Sequence, residues 1–96
     1  MLNSVVLIGR IIEIGDFIED KVKVKISVPR SVKNEEGEYV NDIIEVILQG
    51  NIAANTTEYV KNGDLVGIKG RIQVELSTME IIADKVTFLS TENSKQ

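Results

Sequence analysis

The chain has no cysteine, no histidine and no tryptophan, and only four aromatic residues, Phe17, Tyr39, Tyr59 and Phe88. Without cysteine there are no disulfides, and without cysteine or histidine there are no thiolate or imidazole metal sites. The commonest pairings of nucleophile and base are missing too, so enzymatic chemistry starts from a poor inventory. The shortage of aromatics limits any function that depends on stacking. No stretch approaches the ~18 apolar residues needed to cross a bilayer, and no basic segment leads into an apolar run with a small-residue cleavage site. A cytoplasmic, nucleoid-associated protein with no membrane contact is expected. Lysine and arginine number 11 against 15 aspartates and glutamates, a formal charge of -4. That balance argues against indiscriminate attraction to phosphate, although the distribution of charge can override its total.

What is present is β-rich. Hydrophobic residues make up 43% of the 96 positions, and valine and isoleucine dominate them, which suits half-buried pleated surfaces. One domain is expected at this length. Ser4 to Ile14 reads as a long strand kinked at Gly9, followed by a turn at Gly15-Asp16. From Lys21 to Val28 the alternation is strict, with Val22, Val24, Ile26 and Val28 on one face and Lys21, Lys23, Lys25 and Ser27 on the other. Pro29 ends that strand or sits at its edge, and Ser31 to Asn41, with Asn34-Glu35-Glu36-Gly37-Glu38 inside it, reads as a polar, flexible hairpin loop before a third strand over about Val40 to Gln49.

Asn51 can cap a short helix over Ile52 to Lys61, with Tyr59 and Val60 facing inward and Asn62-Gly63 closing it. Strands over Val66 to Leu76 and Met79 to Leu89 follow, joined by a minimal turn at Ser77-Thr78. Gly67 and Gly70 lie inside the fourth strand, where a backbone that must bend or approach another segment favours glycine. The order strand, strand, strand, helix, strand, strand predicts an all-β chain: a five-stranded OB-fold barrel with one short helix between strands 3 and 4. The barrel would occupy residues 1–89, and 90–96 would form a short disordered polar tail.

Met1-Leu2-Asn3-Ser4-Val5-Val6-Leu7-Ile8-Gly9-Arg10 resembles the opening of bacterial single-stranded DNA-binding proteins. Glu58-Tyr59-Val60-Lys61-Asn62-Gly63, with the glycine-rich stretch after it, is similar to that family's helix end and fourth strand, and Ile81 to Leu89 to its last strand. The resemblance spans nearly the whole chain. It implies an OB barrel, a dimer or tetramer, that binds single-stranded DNA without strong sequence preference in replication, repair or recombination, with no cofactor and no catalysis. It also marks departures. Where the family carries base-stacking aromatics, the aligned positions hold Ile43, Gln49 and Ser77, and the family's acidic, aromatic-tipped C-terminus has no counterpart in Ser94-Lys95-Gln96. Recruitment of replication partners through that tip is therefore not expected.

Lys21, Lys23 and Lys25 stand about 6.6 Å apart along one strand face, comparable with successive phosphates of an extended single strand. The same residues also suit a solvated outer face, or an edge protected against aggregation. Arg30, Lys33, Lys69 and Arg71, with Arg10, could extend a basic path, since guanidinium groups clamp phosphates and stack on bases. Arg10 and Arg71 follow kink glycines and fit pairing with an acidic residue equally well. Tyr39 is the aromatic best placed for base stacking, with Phe17 behind it, whereas Tyr59 and Phe88 read as core. Glu35, Glu36 and Glu38 read as solvated loop carboxylates rather than a metal or general-acid site, and their charge would repel phosphate. The alternative function is an OB-fold protein-interaction module, a primosome-like accessory factor, with Ile43 and Ile47 forming the partner face. An oligosaccharide-binding or hydrolytic role is disfavoured by the residues that are missing.

Overall fold

The computed structural model describes residues 2–90, and these form six elements: β1 (Val5–Ile14), β2 (Lys21–Pro29), β3 (Asn41–Gln49), α1 (Gly50–Tyr59), β4 (Leu65–Glu75) and β5 (Thr78–Ser90). The strands close into a barrel in the order β1-β2-β3-β5-β4. Only β3 and β5 run parallel, with Val46 opposite Ile81 and Ile47 opposite Ile82. The OB-fold expectation therefore holds, helix position included. Ser90 ends β5 rather than opening a tail, and the rest of the expected tail, 91–96, lies outside the described residues.

The core follows from alternation. Val22, Val24 and Ile26 of β2 point inward and pair with Leu48, Val46 and Ile44 of β3, while Val66, Ile68 and Ala83 line the β4–β5 side. Helix α1 closes one end through Ala53, with Val60 just beyond its last turn. Thr57 donates its hydroxyl to the Ala53 carbonyl at 2.9 Å. Ala53, Thr56 or Thr57, and Val60 recur every three to four residues and so share the buried face. Tyr59 falls about 100° around the helix from Val60 and is 73% exposed, against the expected inward position. Phe88 is also not core: it lies opposite Val66 beside a bulge and is 47% exposed, sharing a hollow with Tyr59 and Val86. The helix starts at Gly50, ahead of the expected Asn51 cap, and Gln49 at its N-cap makes no side-chain capping bond. The Gly50 N–H donates instead to the Asp20 carbonyl at 3.0 Å, which ties the helix start to the β1–β2 turn.

The chain reversals are displaced from the expected positions. Between β1 and β2 the turn residues are Glu19 and Asp20, not Gly15-Asp16, because Ile18 and Lys21 exchange both backbone hydrogen bonds, at 2.9 and 3.1 Å. Between β4 and β5 they are Leu76 and Ser77, one position early, with φ of 49° and 70° between the paired Glu75 and Thr78. Positive φ at both central positions is the type I′ hairpin turn, which favours Asn-Gly. Leu76 meets that demand without glycine's freedom, and its side chain is 95% exposed. Left-handed backbone costs about 1–2 kcal/mol per ordinary residue. Replacing Leu76-Ser77 by Asn-Gly should therefore stabilise the barrel by about 1–2 kcal/mol and raise the melting temperature by roughly 5–10 °C, read by a thermal circular-dichroism scan. An unchanged or lower midpoint would show that the turn stores no strain.

Gly9, Gly15 and Gly70 are required by close approach, Gly15 because a Cβ would come within 2.9 Å of the Lys23 carbonyl oxygen. A Cβ on Gly9 would meet the Ser27 carbonyl group, with its carbon at 3.0 Å, and one on Gly70 would meet that of Ile82, with its carbon at 3.0 Å and the Ala83 Cα at 3.2 Å. Gly67 is different. A Cβ there would only touch Leu89 at 3.7 Å and Ile8 at 4.0 Å, so close approach of another segment is not what this glycine serves.

Candidate nucleic-acid interface

In OB barrels the outer face of strands 2 and 3, flanked by the β1–β2 and β4–β5 hairpins, is where oligonucleotides or oligosaccharides lie. Here that face is a groove of about 730 Å³. The alternation that buries Val22 and Val24 sends Lys21, Lys23 and Lys25 outward into it. Pairing with β3 then sets Gln49, Ile47 and Glu45 beside the three lysines in turn. The β4–β5 hairpin supplies the facing side with Gln73, Glu75 and Glu80, the end of β1 supplies Glu13, and the β1–β2 connection supplies Asp16 and Glu19. Three lysines thus share the groove with six carboxylates. A smaller hollow of about 310 Å³ continues it past Ile43 and Met79.

The acidic wall is what sequence reasoning missed; of the aliphatic residues it had Ile43 and Ile47 but not Met79. Glu45 was accessible, since pairing β2 with β3 at the expected turn puts it beside Lys25, whereas Glu75 and Glu80 needed the barrel to close. Of the two isoleucines considered as a partner face, Ile43 is 57% exposed but Ile47 only 8%, because β5 lies against it through Ile82.

The remaining candidates are spread over other surfaces. The Arg30 N–H donates to the Val40 carbonyl, which extends the β2–β3 ladder by one rung, and Asp42 lies opposite Val28 on the rung before. By alternation the pair continues the core-facing row beyond the end of the barrel, on the side opposite Lys21, Lys23 and Lys25. Arg30 Nε reaches both Asp42 carboxylate oxygens at 3.1 Å and Nη2 reaches Oδ1 at 2.8 Å. These hydrogen bonds, more than the opposite charge, raise the Arg30 pKa, and they hold the Asp42 carboxyl below the usual carboxylate range.

Further along the same loop, Lys33 places its Nζ 5.4 Å from the Tyr39 ring centroid, so a cation and an exposed ring stand together. Asn34 organises the loop by accepting from the Glu36 and Glu38 N–H groups at 2.9 Å. Arg71 lies two residues before Gln73 on the β4 wall and pairs with Asp84, while Arg10 donates to the Gly63 carbonyl at 2.9 Å. Lys69 is separate from the groove: it sits opposite Lys85 of β5 and Val6 of β1 on another outer face. Like charges directly opposite across a ladder repel.

The described residues hold no group of three or more acidic side chains arranged to hold a metal ion, and no helix among them is long and apolar enough to cross a membrane. Comparison with known proteins agrees with the geometry. Residues 2–89 match the profile of the "Single-strand binding protein family". The chain is 34% identical to a single-stranded DNA-binding protein of Oceanobacillus iheyensis, covering 99% of this chain and 68% of that one. It is also 34% identical to single-stranded DNA-binding protein B of Bacillus subtilis, over 93% and 91% of the two chains. A crystal structure of the mitochondrial single-stranded DNA binding protein Rim1 of S. cerevisiae superposes with a TM-score of 0.73 over 95% of this chain and 99% of that one; at 18% identity the likeness is one of fold. A closed five-stranded barrel with its helix between β3 and β4, and a sequence match running from Leu2 to Leu89, lead to one conclusion: the chain belongs to the single-strand binding protein family.

Proposed function

We propose that this chain binds single-stranded DNA without strong sequence preference, acting in the cytoplasm in replication, repair or recombination, and that it holds the strand mainly by its phosphates. The observation that carries this reading is the row Lys21, Lys23, Lys25, presented side by side in the groove where OB barrels take their ligands. Phosphates track the lysine row, and the Glu75 and Glu80 side of the groove keeps the backbone against β2. The bases then lie toward Ile43, Ile47 and Met79, an aliphatic floor that gives less than the ~1–3 kcal/mol per base of an aromatic one. Arg30, Lys33, Tyr39, Lys69 and Arg71 are secondary contacts for a strand that extends beyond the groove. Assembly into a dimer or tetramer belongs to the same proposal, supported by the exposed Val6, Ile8 and Leu89, of which Ile8 and Leu89 flank Gly67 on one face.

Titration of labelled oligo-dT of about 35 nucleotides across a salt series tests the reading. Three phosphates neutralised per site give a slope of about -2 in log K against log salt, so affinity should fall roughly 15-fold between about 50 and 200 mM. Absence of binding at about 50 mM would overturn it. That result would favour the protein-interaction reading, for which the exposed Ile43 and Met79 and the excess of carboxylates in the groove are the supporting features.

A further inference from the structure

Three ion pairs occur among the described residues, and each takes up a cation proposed to meet DNA: Lys25 with Glu13 at 3.6 Å, Arg30 with Asp42 at 2.8 Å, and Arg71 with Asp84. Lys21, Lys23, Lys33 and Lys69 have no such partner among the described residues. A carboxylate offers a guanidinium fork the same two-oxygen arrangement that a phosphate does. All six paired side chains are between 42% and 61% exposed, so water and a passing strand reach them. A phosphate arriving at Arg30 or Arg71 must therefore displace a group that resembles it, and the displaced carboxylate stays nearby as a repelling charge.

Resting on the DNA-binding reading, we infer that Asp42, Asp84 and Glu13 are internal competitors for phosphate that set the affinity of this chain for single strands. They lower it, and they leave Lys21 and Lys23 as the principal anchors of the groove. Binding is an exchange of carboxylate for phosphate at Arg30, Arg71 and Lys25, and a direct capture at the two unpaired lysines. A protein built this way releases its strand readily, because the competitor is always present at high local concentration. The helix residue Glu58 carries the same charge on an exposed surface away from the groove, and so separates the effect of pairing from that of net charge.

The test is the dissociation constant for oligo-dT at about 50 mM salt, measured on the full chain and on charge-matched variants whose folding is checked by thermal melts. Asp42→Asn and Asp84→Asn should each tighten binding about two- to fivefold, and Glu58→Gln, which changes the net charge equally, less than twofold. In an Arg30→Ala background, Asp42→Asn should lose its effect, as a double-mutant cycle requires of a pair. If Asp42→Asn and Asp84→Asn bind no tighter than Glu58→Gln, or if Asp42→Asn still tightens binding without Arg30, the competitor role is wrong while DNA binding stands. If the unaltered chain binds no oligo-dT, the functional reading fails and takes this inference with it.

Discussion

Replacing Lys21, Lys23 and Lys25 together by glutamine should weaken single-strand binding about a hundredfold at 0.1 M salt, and replacing them by glutamate should remove measurable binding. The first figure follows from counterion release: three lost phosphate contacts at roughly 0.7 log units each per decade of salt amount to about two log units at 0.1 M. The glutamate variant goes further because it adds three carboxylates to a groove that already holds six, and phosphate is then repelled along its whole length. The salt slope should flatten in step, from about -2 towards zero for the glutamine variant. That change in slope is the readout that distinguishes loss of phosphate contacts from a general loss of protein quality.

The two variants differ in their effect on the barrel. Lys25 sits beside Glu45 on β3 and Glu13 on β1, so a glutamate there would place like charges directly across the ladder. Glutamine keeps a similar length and imposes no such repulsion, which makes it the cleaner test. If the triple glutamine variant melts normally and binds oligo-dT as the parent does, with the same slope, the lysine row is a solvated strand face and the strand runs elsewhere. Lys69, opposite Lys85 and outside the groove, would then be the first place to look.

How far the sequence revealed this site depended on whether the property is local. The lysine row was legible because strand alternation is a local rule, and Val22, Val24 and Ile26 obey it without exception. The barrel and its helix were legible from the order of elements and from the family resemblance. The acidic side of the groove was not, because Glu75 and Glu80 reach the lysines only once β5 pairs in parallel with β3, a contact between segments more than thirty residues apart. An aromatic residue near apolar neighbours suggests core, but the helix turn sets Tyr59 outward, and Phe88, although on the same row as Val66, is 47% exposed near the end of its strand. The Leu76-Ser77 turn was placed one residue late because neither residue announces a left-handed backbone. Arg30 was grouped with the lysines by proximity in sequence, although it continues the opposite face of the same strand and is already engaged by Asp42.

Gly70→Ala should lower the melting temperature by about 10–20 °C, whereas Gly67→Ala, three residues away in the same strand, should leave it within a few degrees of the parent. The contrast isolates one physical cause. At Gly70 a methyl group would be driven into the Ile82 carbonyl, with the backbone carbon at 3.0 Å and the Ala83 Cα at 3.2 Å, and neither partner is a side chain that can swing away. Overpacking of this kind costs about 1–3 kcal/mol, and in a domain of this size each kcal/mol moves the midpoint by roughly 4–8 °C. At Gly67 the nearest atoms are side-chain carbons at 3.7 and 4.0 Å, and alanine removes some freedom from the unfolded chain, so the change is neutral or slightly favourable.

The consequence reaches the groove as well. The register of β4 and β5 shifts between Lys69 and Gly70, and past that shift Arg71 faces Ile82 and Gln73 faces Glu80, so the close approach at Gly70 aims the β4–β5 side at the lysine row. A Gly70→Ala barrel that still folds at low temperature should therefore also bind oligo-dT with altered affinity. Equal melting temperatures for the two variants would show that the strands can part at this point without loss, and that the tight crossing is not what fixes the groove wall.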